Sequence, residues 1–148
     1  MRVQLRQAEP GDRGRCLELL ALLTQAAGGD IDPRAASTFD DLLDTRRGEV
    51  LVADEGGRVL GLASVSYNVA MRYGGEYAQL EELIVDPEAR GKNVGGQLVE
   101  TCVERARARG CGEFGIYLVE RTEQNRSFYE KYGFRAVGTE MRQPLRSP

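Results

Sequence analysis

The sequence contains no histidine and only three cysteines. The missing histidine excludes Ser-His-Asp and Cys-His nucleophilic catalysis, histidine general bases and most catalytic zinc sites. Acid–base chemistry must then come from Glu, Asp, Tyr, Cys, Lys or a chain terminus. Cys16, Cys102 and Cys111 lack metal-ligand spacing and leave an odd thiol, so no metal is expected and a reducing compartment fits. No apolar run approaches the roughly 20 residues of a membrane span. The first six residues alternate polar and apolar and lack the apolar core of a signal peptide. A cytoplasmic location without a membrane partner is therefore expected. The formal charge of −3 is too near neutral for a general nucleic-acid binder.

The 148 residues are the usual size of one domain. Residues 3–7 alternate as a short strand. Pro10-Gly11-Asp12 then reads as a turn and cap before a helix with Cys16, Leu17, Leu20 and Leu23 on one stripe. Gly28-Gly29 ends that helix, and a second short helix is expected over residues 35–43. Residues 49–54 and 58–69 read as strands joined by the hairpin signal Glu55-Gly56-Gly57. A further strand over 77–85 stops at Asp86-Pro87. A long helix over 95–109 follows, with Leu98, Val99, Cys102, Val103 and Ala106 in helical period and Gly110 as its stop. A strand over 114–119, a helix over 124–132 and a last strand over 134–140 complete the chain. The order predicts one α/β domain: a mixed sheet of about six to seven strands flanked by about four helices, hairpin-like first and strand-helix-strand second.

Two charged regions stand out. Asp30, Asp32, Asp40, Asp41 and Asp44 are either a solvated surface or a patch for a cationic ligand. Arg90 and Lys92 lie among glycines between the strand over 77–85 and the long helix. Free N–H groups at a helix start favour negative charge, and glycines let phosphates approach. Neither G-x-x-x-x-G-K-[ST] nor G-x-G-x-x-G is present. A strand, a glycine-containing turn and a helix also describe many simple connections.

The segment Arg90-Gly91-Lys92-Asn93-Val94-Gly95 resembles the pyrophosphate loop of the GNAT acyltransferases, [QR]-x-x-G-x-[GA]. Leu80-Glu81-Glu82-Leu83-Ile84-Val85-Asp86-Pro87 before it and Ser127-Phe128-Tyr129-Glu130-Lys131-Tyr132-Gly133-Phe134 near the C-terminus are similar to the same family. The element order agrees over nearly the whole chain, so a GNAT-like fold is expected. Asn93 departs from the pattern by replacing its middle glycine. Asn is the non-glycine residue that best tolerates positive φ.

The resemblance implies an N-acetyltransferase that uses acetyl-CoA as co-substrate and transfers directly to a primary amine in a ternary complex. It implies that Arg90, Gly91, Lys92, Asn93, Val94, Gly95 and Gly96 wrap the pyrophosphate of CoA. It also implies that the strand at Leu83, Ile84 and Val85 receives the pantetheine arm, through backbone groups of Leu83 and Val85. The Leu83 N–H would polarise the acetyl carbonyl. Tyr129 takes the position of the general acid beside the CoA sulfur; by periodicity alone it is a tyrosine packed on a helix face. Neighbours on a strand point to opposite faces, so only one of Glu81 and Glu82 faces the acceptor easily. Family bases often share the parity of Gln79, Glu81 and Leu83, which favours Glu81, acting through water. The bland alternative is that Glu81 only binds the cationic acceptor or makes a salt bridge. Asn125 either contacts pantetheine or sits in the first helical turn; Thr122 holds the place the family usually gives to that asparagine. Cys102 and Cys111 read as structural.

The acceptor is an amine on a small molecule or a protein, and a homodimer is allowed. Two rivals remain from the sequence: an acyl-CoA sensor without turnover, and an acyltransferase for longer acyl chains.

Overall fold

The structure, a computed structural model, describes residues 2–146. It contains β1 (Val3–Gln7), α1 (Arg13–Ala26), α2 (Ala35–Leu42), β2 (Gly48–Glu55), β3 (Arg58–Ala70), β4 (Gly75–Val85), α3 (Val94–Arg109), β5 (Phe114–Ile116) and α4 (Arg126–Glu130). The five strands lie in sequence order in one sheet. β1 to β4 pair antiparallel, and β5 runs parallel to β4 after the α3 crossover. Short turns join β2 to β3 and β3 to β4, whereas α1 and α2 lie between β1 and β2. Between β2 and β3, Gly56 (φ 60°) and Gly57 (φ 93°) both occupy the left-handed region that a tight hairpin demands.

Alternation along the strands builds two cores. Leu51, Ala53, Ala63, Val65 and Leu80 pack with Leu98, Cys102 and Ala106 of α3. Val50, Val52, Leu62 and Ile84 pack on the opposite face with Cys16 and Leu19 of α1 and Phe39 of α2. The α1 stripe differs from its expected position. Cys16 and Leu19 are buried, whereas Leu23 is exposed. Arg15 lies on the same inward side, its guanidinium donating to the Val59 carbonyl at 3.0 Å and to Asp86 at 2.5 Å.

The sheet has five strands rather than six or seven. The expected strand over 114–119 pairs only through Phe114–Ile116. Residues 134–140 form no strand, and none of the backbone hydrogen bonds among the described residues involves 135–146. Local composition favours a strand there, but the segment passes the outer edge of β5 at side-chain distance and makes no backbone bond to it. The expected helix over 124–132 is a short α4 preceded by a 3₁₀ turn over Glu120–Asn125.

Candidate active site

Two irregularities in β4 shape the site. The first is a bulge. Ser64 pairs with Glu82 and Val65 with Leu80, leaving Glu81 as an extra residue. An extra residue resets the side-chain alternation. Ala78 and Leu80 face α3 before the bulge, and Leu83 and Val85 face it afterwards. Glu81 and Glu82 therefore share the opposite face. Ser66 Oγ donates to Glu81 at 2.6 Å, and the Ser64 hydroxyl, two residues earlier on the same face of β3, bonds to the Glu82 carboxylate. Ser64 Oγ also accepts from the Glu82 N–H at 3.1 Å. The expectation that only one of the two carboxylates can face the acceptor is thus corrected: strict alternation fails at a bulge. Burial pushes the Glu82 carboxyl above the ordinary glutamate range, the Ser64 hydroxyl opposes that shift, and the nearby Glu81 charge adds to it. Glu81 itself is exposed.

The second irregularity is a split. β4 and β5 pair only at Ala78–Phe114, Gln79–Gly115 and Leu80–Ile116. Pairing stops at the bulge, so the outer edge of β4 from Glu81 to Val85 has no strand beside it among the described residues. The Asp86 N–H donates to the Leu60 carbonyl of β3 at 2.8 Å. Hydrogen-bonding direction alternates along an antiparallel strand. Ile84 therefore turns its backbone groups toward β3, and Leu83 and Val85 turn theirs toward the split. An extended amide chain can add there as a strand.

The loop after β4 is braced from beneath. The nearly buried Asp86 accepts from the Glu88 N–H at 2.9 Å and from Arg15 and Arg58 at 2.5 and 3.3 Å. Asn93 has φ 53° and ψ 36°, a left-handed conformation directly before α3. No backbone N–H from Gly91 to Gly96 donates to a backbone carbonyl among the described residues. These free donors stand at the positive end of the 16-residue α3. Arg90 is exposed without a carboxylate partner among the described residues, whereas Lys92 spends its charge on Glu55 at 2.8 Å. A Cβ added at Gly96 would lie 2.0 Å from the hydroxyl of Tyr132, just past α4, and one at Gly95 would touch Phe128 of α4 at 3.5 Å, so this C-terminal turn packs directly on the first turn of α3. Tyr132 Oη also lies 3.4 Å from Asn93 Oδ1. A row of free amides at a helix start, one unpaired arginine and an open strand edge fit a pyrophosphate with an extended arm.

Tyr129 is half-buried on α4 and packs against the same core as Leu83, Val85 and Ile116. Its ring sits edge-on to Phe128 and Phe134, with centroids at 5.0 and 6.1 Å. Burial raises its phenol above the ordinary tyrosine value, so it stays protonated at neutral pH. Asn125 is exposed and makes no side-chain cap bond. Thr122 is turned inward, its hydroxyl accepting from the Val119 N–H at 3.0 Å. Burial pushes Cys102 up to about 12, which leaves it a structural thiol, and raises Cys111 as well. On the carboxylate face, a cavity of about 330 Å³ is lined by Arg72, Tyr73, Tyr77, Gln79, Ile116 and Glu140, among others. The aspartates of the earlier segment are largely paired. Asp32, Asp40 and Asp44 bond Arg34, Arg13 and Arg46, so this region is not a free acidic patch.

The sequence model of the Acetyltransferase (GNAT) family matches residues 16–134, most of the chain. The chain belongs to the GNAT family. It is accordingly an acetyl-CoA-dependent N-acetyltransferase by class. Among GNAT relatives it is 32% identical over 149 residues to a glucosamine 6-phosphate N-acetyltransferase of Trypanosoma brucei brucei, covering 97% of this chain and 96% of that one. It superposes with TM-score 0.79 on a Trypanosoma brucei acetyltransferase, at 30% identity and covering 97% and 100% of the two chains. A solved Bacillus halodurans protein described as a transcriptional regulator gives TM-score 0.85 at 26% identity, with 97% and 100% covered. Among the described residues, no helix is long and apolar enough to cross a membrane.

The sequence did not single out Ser64 and Ser66 of this GNAT chain. Their spacing of two places both hydroxyls on one face of β3, but a contact with neighbouring glutamates follows only from the bulge. The left-handed geometry of Asn93 gives a direct test. Asn93→Gly is expected to keep thermal stability and CoA affinity, whereas Asn93→Val is expected to lower both, because a β-branched residue at positive φ costs of order 1–3 kcal/mol. Melting curves and calorimetric titration with CoA read the two effects.

Proposed function

We propose that this chain transfers the acetyl group of acetyl-CoA directly to the primary amine of a phosphorylated amino sugar, with glucosamine 6-phosphate as the first acceptor to test. The observation that carries this reading is the 32% identity over 97% of the chain to the trypanosomal glucosamine 6-phosphate N-acetyltransferase. The cavity on the carboxylate face supports it. Arg72, held over the Tyr73 and Tyr77 rings at 4.7 and 5.1 Å, is the one cation lining that cavity among the described residues, beside Glu113 and Glu140, and is the group there that would meet a phosphate.

The co-substrate supplies an activated thioester. The free amides from Gly91 to Gly96, with Arg90, bind its pyrophosphate, the outward backbone groups of Leu83 and Val85 bind its amide arm, and the exposed Asn125 before α4 is a further contact for that arm. The Leu83 N–H holds the carbonyl oxygen as charge develops on it. The amine arrives mostly as ammonium, so it must lose a proton before it attacks. Glu82 takes that proton, directly or through water, because its raised pKa brings it nearer the working range of a base than an ordinary glutamate. The exposed Glu81, beside it through the bulge, binds the incoming cation. The nitrogen forms the C–N bond, the C–S bond breaks with its electron pair passing to sulfur, and Tyr129 returns a proton to that sulfur.

The test is thiol release from acetyl-CoA across glucosamine 6-phosphate, glucosamine and peptides with free lysine or N-terminal amines. Charged hydrogen bonds to the phosphate should favour the sugar phosphate over glucosamine by more than about tenfold in kcat/KM. Turnover confined to peptides would reject the sugar phosphate. Tight acetyl-CoA binding without turnover on any amine would replace transfer by sensing. Faster turnover with longer acyl-CoA would change the donor.

A further inference from the structure

Ser64 and Ser66 stand two apart on β3, and their hydroxyls meet Glu82 and Glu81 respectively. Neither serine carries a proton in the transfer described above. Register explains the match. Ser64 pairs with Glu82 and Ser66 with Gln79, and the bulge residue Glu81 lies between. Alternation puts both serines on one face of β3, and the bulge turns two successive glutamates to that face. Each carboxylate thus finds its own hydroxyl.

The two contacts are built differently. Ser64 is buried, and its Oγ accepts from the Glu82 N–H at 3.1 Å. That bond fixes how the hydroxyl lies and leaves its one proton for the Glu82 carboxylate. A hydrogen bond to an ionised carboxylate favours the ionised form, whereas burial and the Glu81 charge disfavour it. Glu81 is the one charged group that acts on Glu82 among the described residues, with none from α1, α2 or the C-terminal segment. Arg142 of that segment acts on Glu140 and Glu81 instead. Ser66 is half-buried and meets the exposed Glu81. Its Oγ donates to Glu81 at 2.6 Å and accepts from Asn68 Nδ2 at 3.0 Å. Asn68 therefore aims the Ser66 proton at Glu81. A glutamate already held in one rotamer loses less freedom when it binds a cation.

We propose that Ser64 and Ser66 are positioning residues that give the two neighbouring glutamates different work: Ser64 aims Glu82 as the base, and Ser66, steadied by Asn68, holds Glu81 for the ammonium of the acceptor. This division rests on the acetyltransferase reading above, in which Glu82 takes the proton. The proton passes from the acceptor nitrogen to a Glu82 oxygen, and neither serine gains or loses one. The competing arrangement is packing alone, in which the two hydroxyls only satisfy polar neighbours and leave the chemistry untouched.

Rate profiles against pH on the full chain decide it. The donor is acetyl-CoA, and the acceptor is whichever of glucosamine 6-phosphate, glucosamine and the peptides turns over fastest. Ser64→Ala should move the acidic limb of kcat up by about one to two pH units, the worth of a hydrogen bond to a charged group, and regain activity above it. Ser64→Thr keeps the hydroxyl and should keep the limb in place. If Ser64→Ala does not fold, Ser64→Cys carries the same test, being a weaker donor of similar shape. Ser66→Ala should leave the limb unmoved and raise KM for the acceptor about three- to tenfold. An unmoved limb in the Ser64 variants, or equal shifts in Ser64→Ala and Ser66→Ala, overturns the proposal. Glu82→Gln tells the two failures apart. If it abolishes the limb while Ser64→Ala leaves the limb unmoved, Ser64 loses its role and the base stands. If the limb survives Glu82→Gln, the base reading fails and takes Ser64 with it. Absence of turnover on every amine overturns both.

Discussion

Tyr129→Phe is expected to lower kcat by about 10²–10⁴-fold, the range for removing a positioned proton donor, while acetyl-CoA affinity and melting temperature stay near wild type. Phenylalanine keeps the ring and its edge-on contacts with Phe128 and Phe134 and deletes only the hydroxyl. Burial raises the phenol above its ordinary value, so the proton is in place throughout the neutral range and Tyr129 imposes no limb on the rate profile there. The loss falls at the smaller end of the range if water reaches the sulfur, since a CoA thiolate is already a fair leaving group. Single-turnover rates, calorimetry and melting curves on the same preparation separate lost chemistry from lost packing. An unchanged chemical step would make Tyr129 a packing residue and require another acid.

The readable parts of this chain are those set by local chemistry. Gly56 and Gly57 specify the β2–β3 turn by their own backbone freedom, and Asn93 takes the left-handed conformation that its position among glycines suggests. The glycine-containing turn before α3 and α3 itself follow the same rule. Two features escape it because they depend on pairing across the sheet. Nothing in Glu81-Glu82 announces a bulge; it arises from the register of β4 against β3, and it overturns the alternation argument for these two glutamates. The strand expected over 134–140 has suitable local composition but makes no backbone bond to the open β5 edge. The aspartate cluster was open to a simpler reading, since Asp32 with Arg34 and Asp44 with Arg46 are each two residues apart and pair locally.

Glu82→Gln is expected to act on rate and stability in opposite directions. As the base, Glu82 must be ionised, so wild-type activity rises with pH through its raised pKa. The variant should lose about 10²–10⁴-fold in kcat near neutral pH and recover as rising pH deprotonates the amine itself. For stability, burial disfavours the charged carboxylate, which raises the folded pKa above the unfolded value of about 4.3. The protonated group's contribution is complete below that unfolded value and is lost as pH rises through the folded pKa. Glutamine never acquires the charge, so the variant should match wild type in acid and melt higher at neutral pH. Glu81 is exposed, so Glu81→Gln should leave the melting curves alone and raise KM for the acceptor. If instead Glu81→Gln abolishes the acidic limb of the rate profile while Glu82→Gln changes only the melting temperature, the base is Glu81 and the buried carboxyl merely holds Ser64 in place.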